Sequence, residues 1–427
     1  MPWPGRYQLA DRDGKVLQEG GCRISFDAEA FSVVPDSGAP LAGDLGEVLA
    51  VAPADVEVVL SLPGGRTLRL GRMGKAFPGA SSDLVAAWRD RTVKCLLLGD
   101  LEEVKRFSGA ARLASSPRPP APAEIRVFES NLAVLPVSDP AFQWRLADVD
   151  ALRLDTAAWA VVLESDGERL ELTRLAKRTE ECHACLGETL SALQARSVAG
   201  LRAVLPFLEP LQLQRAAELL REGRSAAIEQ LRAVHPRIEA ALMANVVDDG
   251  LRPYVEWLVE RAAGGGVRVG FKIVPEGEGK GEGEEEGRGE GQGEAEEGRD
   301  DGEGAGRILH WFFFPIAAKG GVPRVVAWEA TSRSGRATYF FRLASPGEGV
   351  ERTIRDLERA MALLGFRREP MYLPDDALEL QPRYRRHAIA CRRVPELARL
   401  RAAFLGRAIH TTPDAWRKQA EEILAKG

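Results

Sequence analysis

"GGRTLRLGRMGK" (Gly64–Lys75) is answered one hundred and two residues later by "DGERLELTRLAK" (Asp166–Lys177). At that constant offset the chain repeats Gly65/Gly167, Leu68/Leu170, Leu70/Leu172, Arg72/Arg174 and Lys75/Lys177. The correspondence extends in both directions. "AFSVVP" (30–35) matches "NLAVLP" (131–136), and Leu45/Val48 match Leu146/Val149, at an offset of 101. Leu84/Trp88 match Leu186/Leu190 at 102. A single-residue slip over so long a span is the pattern of a duplicated domain.

Each copy reads alike. Val56, Val58 and Leu60 alternate with other residues, as do Trp159, Val161 and Leu163. Alternation predicts strands with one face on a core. Glycine turns follow (Pro63-Gly64-Gly65 and Asp166-Gly167), then second strands with Leu68/Leu70 and Leu170/Leu172 inward. A helix closes each copy, through Leu84, Trp88 and Cys95 in the first and Leu186, Leu190 and Leu193 in the second, with Thr179 as N-cap. Antiparallel strands plus one closing helix resemble the pleckstrin-homology (PH)-like superfold in tandem, over about residues 20–200.

The sequence predicts an α+β multidomain chain. It comprises a first PH-like repeat (1–114), a Pro-rich linker (115–123) and a second repeat (124–199). A helical segment (200–263) and a C-terminal sheet-plus-helix domain (264–427) follow. The linker rests on "SSPRPPAPAE", whose prolines favour a stiff spacer. Gly264-Gly265-Gly266 reads as a hinge. In the C-terminal part, "VRVGFKIV", "RILHWFFFPI", "RVVAWEATS" and "RATYFFRL" read as strands, the last two a hairpin around Arg333-Ser334-Gly335. A helix is expected from about Glu348 to Leu364, then two more, the last started by Thr412-Pro413.

The net charge of −5 is unevenly placed. Residues 276–306 hold 13 Asp/Glu against 3 Lys/Arg, and their Gly/Glu composition predicts disorder. Phe366–Ile409 carries 10 Arg against 5 Asp/Glu. The acidic run lacks the strand–loop–helix frame and Lys-Ser/Thr ending of a phosphate loop. The longest apolar stretch, Trp311–Ala318, is too short for a membrane helix, the N-terminus lacks a signal-peptide core, and five scattered cysteines make no disulfide framework. A cytoplasmic protein is expected.

The sequence assigns no catalytic residue, cofactor or metal. Cys182, His183 and Cys185 lie close together, but no second Cys/His pair completes a tetrahedral set, so buried thiols are expected. Glu329 has no second acid or lysine at useful spacing. The first strand loops of the repeats contain one basic residue, Arg145, which disfavours phosphoinositide or membrane binding. Two features remain as a candidate interaction surface. One is the Arg-rich stretch with Arg383, Arg385, Arg386, Arg392 and Arg393. The other is the aromatic strand with Trp311 and Phe313, read as core or as a face covered by a partner or by stacked bases. The leading expectation is a non-catalytic protein-interaction or scaffold protein whose protein partner is unknown. The alternatives are a nucleic-acid-binding protein using those arginines, modulated by the acidic run, and an enzyme whose site the sequence does not identify.

Overall fold

The computed structural model describes residues 2–427 apart from 138, 248–249, 264–265, 275–306, 318–322, 331–336 and 344–348. The acidic run, the hairpin turn at Arg333–Gly335 and two glycines of the expected hinge lie outside the described residues. The chain forms two compact units, Met1–Ser191 with Leu363–Ala398, and Ala192–Ala362 with Arg399–Gly427.

In the first unit, β1 (Trp3–Ala10), β2 (Val16–Phe26), β3 (Ala30–Pro35), β4 (Leu41–Asp44), β5 (Ala50–Pro53), β6 (Glu57–Ser61) and β7 (Thr67–Gly71) precede α1 (Phe77–Cys95). The copy that follows has β8 (Glu103–Leu113), β9 (Ala121–Phe128), β10 (Asn131–Pro136), β11 (Phe142–Arg145), β12 (Ala151–Asp155), β13 (Ala160–Ser165), β14 (Glu168–Thr173) and α2 (Thr179–Val204). The two seven-stranded sheets have equivalent orders, β4-β3-β2-β1-β7-β6-β5 and β11-β10-β9-β8-β14-β13-β12. Pairing of the first strand with the last bends each meander back on itself and leaves it open between its fourth and fifth strands.

The quoted motifs set the register. Leu60 lies opposite Leu68 and Val58 opposite Leu70, and in the second copy Leu163 lies opposite Leu170 and Val161 opposite Leu172. All eight side chains are at most 1% exposed. The turns between them need left-handed backbone, supplied by Gly64 and Gly65 (φ 75° and 76°) and by Asp166 and Gly167 (φ 49° and 80°). Adding a Cβ at Gly65 would bring it within 2.8 Å of Arg12 Cβ.

Several expectations are corrected. The proline-rich stretch joins β8 to β9 inside the second sheet, and 103–113, expected in the first repeat, pairs with β9 and β14. Proline suits such a loop as well as a spacer, so composition could not separate them. Val56 and Trp159 precede their strands and are 72% and 58% exposed. The Thr179 hydroxyl donates to Ala176 O (3.0 Å) instead of capping a backbone N–H.

In the second unit, α3 (Pro210–Leu219), α4 (Ile228–Val234), α5 (Arg237–Val246) and α6 (Arg252–Arg261) accompany a six-stranded antiparallel sheet. Its order is β15 (Ser225–Ala227), β16 (Arg268–Val274), β17 (Arg307–Ala317), β18 (Pro323–Ala330), β19 (Ala337–Arg342) and β20 (Phe404–Ile409). The helices α7 (Val350–Leu363), α8 (Glu369–Tyr372), α9 (Asp375–Leu380), α10 (Arg385–Arg393), α11 (Pro395–Ala403) and α12 (Pro413–Leu424) complete the chain, α8, α9 and α10 belonging to the first unit. Phe312, Phe314, Ala327, Phe340 and Ala408 pack in one core with Trp257, Leu258, Trp416 and Ile423. Thr412 caps α12 by accepting the Ala415 N–H (3.3 Å), as the sequence predicts.

Leu70→Ala and Leu172→Ala should each destabilise the first unit by ~2–5 kcal/mol, through lost burial and a residual cavity. Urea unfolding reads this as a lower midpoint at an unchanged slope. A loss below ~1 kcal/mol in either copy would deny that these leucines fill its core.

Candidate interaction site

The Arg-rich helix α10 lies against one corner of the first copy. The corner is built locally. Asp44 ends β4 and its Oδ1 accepts the Gly46 N–H (2.8 Å), holding the 3-10 turn Leu45–Glu47. Trp88, Arg91 and Cys95 share one face of α1 because three- and four-residue steps bring side chains into line. Trp88 Nε1 donates to Val48 O (2.8 Å). Arg91 meets Asp44 in a fork, Nε to Oδ1 at 2.9 Å and Nη2 to Oδ2 at 2.7 Å, and reaches Glu29 Oε1 at 3.0 Å. The Arg91 and Asp44 side chains are 8% and 4% exposed, and the hydrogen bonds to Asp44 raise the Arg91 pKa.

Four expected surface arginines engage this corner or its surroundings. Arg393 Nη1 donates to Gly46 O (2.6 Å), and burial lowers its pKa. Arg392 bonds Glu47 Oε1 (2.8 Å) and Glu379 Oε1 (2.5 Å). Arg386 grips Asp100 with both nitrogens, at 3.1 and 2.9 Å. Arg385 Nε lies 3.5 Å from Asp44 Oδ2 and remains largely exposed. Seven-residue spacing puts Arg385 over Arg392 and Arg386 over Arg393, so one helix presents two cationic rows. Arg383 instead lies over the Tyr384 ring (4.8 Å) and donates to Gln381 (3.3 Å). The contacts that α10 makes with the first copy join residues 286 to 347 positions apart, which no local pattern announces.

The site belongs to one copy. Asp44, Glu47, Arg91 and Cys95 correspond to Arg145, Asp148, Leu193 and Ser197 in the second copy. The copies also meet each other. Arg126, 4% exposed, bonds Glu124 Oε1 (2.6 Å) and pairs with Asp90 (2.8 Å) of α1. Arg89 of α1 reaches Glu124 Oε2 (2.9 Å), and Gln143 Nε2 donates to Leu96 O (2.6 Å).

The other candidates resolve differently. Trp311 and Phe313 are each 0% exposed, so they offer neither a docking face nor stacking for bases. Burial on both sides of the sheet is the physical reason: aromatic side chains at successive strand positions point to opposite faces, and both are covered. Cys182 and Cys185 are buried, with the Cys182 thiol pushed up to about 12 by burial. Cys95 is pushed up to about 11 by the same cause. Among the described residues no group of three His, Cys, Asp or Glu side chains is arranged to hold a metal ion, and no helix is long and apolar enough to cross a membrane.

Glu329, which the sequence passed over, is fully buried and accepts a 2.6 Å hydrogen bond from Thr338 Oγ1. Its Oε2 lies 3.3 Å from His410 Nε2, and Tyr254 stacks on His410 at 4.1 Å between ring centres. Trp416 Nε1 donates to the same threonine oxygen (3.0 Å). This enclosed chain anchors α12 to the sheet.

No family model matches the chain, and no curated protein matches it. Among solved structures, the N-terminally truncated linker-DH/PH domains of p115-RhoGEF align at a TM-score of 0.19 and 10% identity. The alignment covers 28% of this chain and 46% of that one, less than half of its length. A likeness that slight carries nothing of that protein's fold or properties over to this chain.

Arg393→Ala should cost ~2 kcal/mol by orphaning the Gly46 carbonyl, and should speed amide exchange across 385–393. Unchanged exchange there would refute the docking. His387 is 2% exposed, and its ring is pushed down to about 4, mainly by burial and further by Arg386 and Arg367. An unfolded histidine titrates near ~6.5. Between that value and about 4 the unfolded chain therefore binds a proton that the folded one refuses. Stability should fall as pH drops through this window, by on the order of 2–3 kcal/mol. His387→Gln should lessen that slope, leaving the share of His310, whose ring burial also pushes down to about 4.

Proposed function

We propose that the chain is a non-catalytic protein-interaction or scaffold protein built on a duplicated PH-like domain, working in the cytoplasm. The observation that carries this reading is the use the first copy makes of α10. Its Asp44–Glu47 corner and Asp100 receive a basic helix through Arg386, Arg392 and Arg393, so the domain serves as a platform for a polypeptide segment. The same contacts weigh against nucleic-acid binding. Cations already paired with carboxylates release few counterions when they meet phosphate. Five free, buried cysteines agree with a reducing compartment.

Two measurements on the full chain test the reading. Fluorescence anisotropy with labelled single- and double-stranded DNA and RNA across a salt series should show no binding tighter than that of an acidic control protein. Cross-linking followed by mass spectrometry in native extract should place partner cross-links on residues 1–191. Tight nucleic-acid binding that weakens steeply with salt would overturn the proposal.

A further inference from the structure

Two exposed apolar residues occupy matching places. Val56 precedes β6 and Trp159 precedes β13, and they are 72% and 58% exposed. Trp159 has a left-handed backbone (φ 49°), costly for a bulky side chain. It is held there by a turn in which Asp155 Oδ1 accepts the Ala157 and Ala158 N–H groups (3.0 and 2.9 Å). Among the described residues its indole has neither a hydrogen-bond nor a ring partner. An unsupported, exposed tryptophan in a strained turn packs no core, so folding alone does not account for it.

The neighbouring turn repeats as well. After β7 and β14 the chain reads Arg72-Met73-Gly74-Lys75 and Arg174-Leu175-Ala176-Lys177. The arginines share left-handed φ values of 56° and 55°, and the third residues share 59° and 53°. Met73 and Leu175 are buried, while the Arg and Lys of each turn are exposed. Among the described residues none of these four cations makes an ion pair. Nearby surface charges changed between the copies, with Arg66 becoming Glu168 and Arg69 becoming Glu171. The cations of the turn are the same in both copies, although glycine or asparagine would suit the backbone of the two arginines better. In the first copy Val56 and Arg72 line one groove of about 850 Å³, together with Tyr7 and Phe77.

We infer that this corner, present once in each repeat, docks a short peptide segment of a partner protein bearing a large apolar side chain beside a carboxylate. The apolar group packs on Val56 or Trp159, and the carboxylate meets Arg72/Lys75 or Arg174/Lys177. Tryptophan and arginine are residue types enriched in interface hot spots. The inference rests on the scaffold reading and adds the place and the chemistry of recognition. Nucleic acid fits less well, because valine offers no face for base stacking, and in the first groove Arg6, Arg69 and Arg72 are balanced by Glu19, Asp55 and Glu57, which suits a single carboxylate better than a run of phosphates.

The test pans a displayed library of random 12-residue peptides against the full chain. It is repeated with Trp159→Ala and with the double variant Arg72→Glu/Arg174→Glu, whose positions are exposed and whose melting temperatures verify folding. Selected peptides should pair Leu, Ile, Phe or Trp with Asp or Glu, and should bind roughly tenfold or more weakly to the double variant, those seated on the second repeat also to Trp159→Ala. Peptides that bind wild type and both variants equally would overturn this site and leave the scaffold reading standing. Failure of any form to retain peptides would count against both. Binding of a poly-dT oligonucleotide, or of vesicles containing phosphatidylserine, that is lost in Trp159→Ala would replace the peptide by that ligand.

Discussion

Arg91 can sit inside the first copy only because Asp44 meets two of its nitrogens. A guanidinium removed from water without a fitted carboxylate would cost several kcal/mol, of order 3–5 when the partner is deleted. The pair does more than neutralise a charge. It fixes the end of β4, so that Gly46 presents its carbonyl and Glu47 its carboxylate outward from a rigid 3-10 turn. Those are the groups that Arg393 and Arg392 find. The docking of α10 therefore depends on an ion pair it barely touches, with only Arg385 near Asp44.

The repeated core was legible because it is local. Leucines two residues apart, a glycine turn and a second alternating run state a hairpin and its register within about a dozen positions. Both copies obey, down to Leu60 opposite Leu68 and Leu163 opposite Leu170. Strand ends were less legible. Val56 and Trp159 continue the alternation in sequence, yet the chain leaves the sheet before reaching them. Alternation counts apolar residues and is blind to where hydrogen bonding stops.

The long-range part of the site was not legible. A basic helix announces that it needs anions, but Glu47 and Asp100 look like ordinary surface acids from any window of sequence. Glu329 stood out in the sequence, but its partners were hidden for the opposite reason. Its neighbours in the chain are apolar, and its partners Thr338 and His410 arrive from β19 and from the end of β20. The aromatic strands were ambiguous, since Trp311 and Phe313 could serve a core or a ligand equally well by composition. Burial settles them as core.

The two copies divided their work unequally. The first has an acidic corner that accepts α10, whereas the second carries Arg145 in place of Asp44 and Leu193 in place of Arg91, and so has neither half of the buried pair. Loss of either half alone would have stranded a charge, which explains why the two positions differ jointly. Against that divergence stands the turn after β7 and β14, where arginine keeps an unfavourable backbone in both copies without any internal ion pair among the described residues. The features common to both copies thus fall into two kinds, leucines that the core requires and exposed cations that it does not.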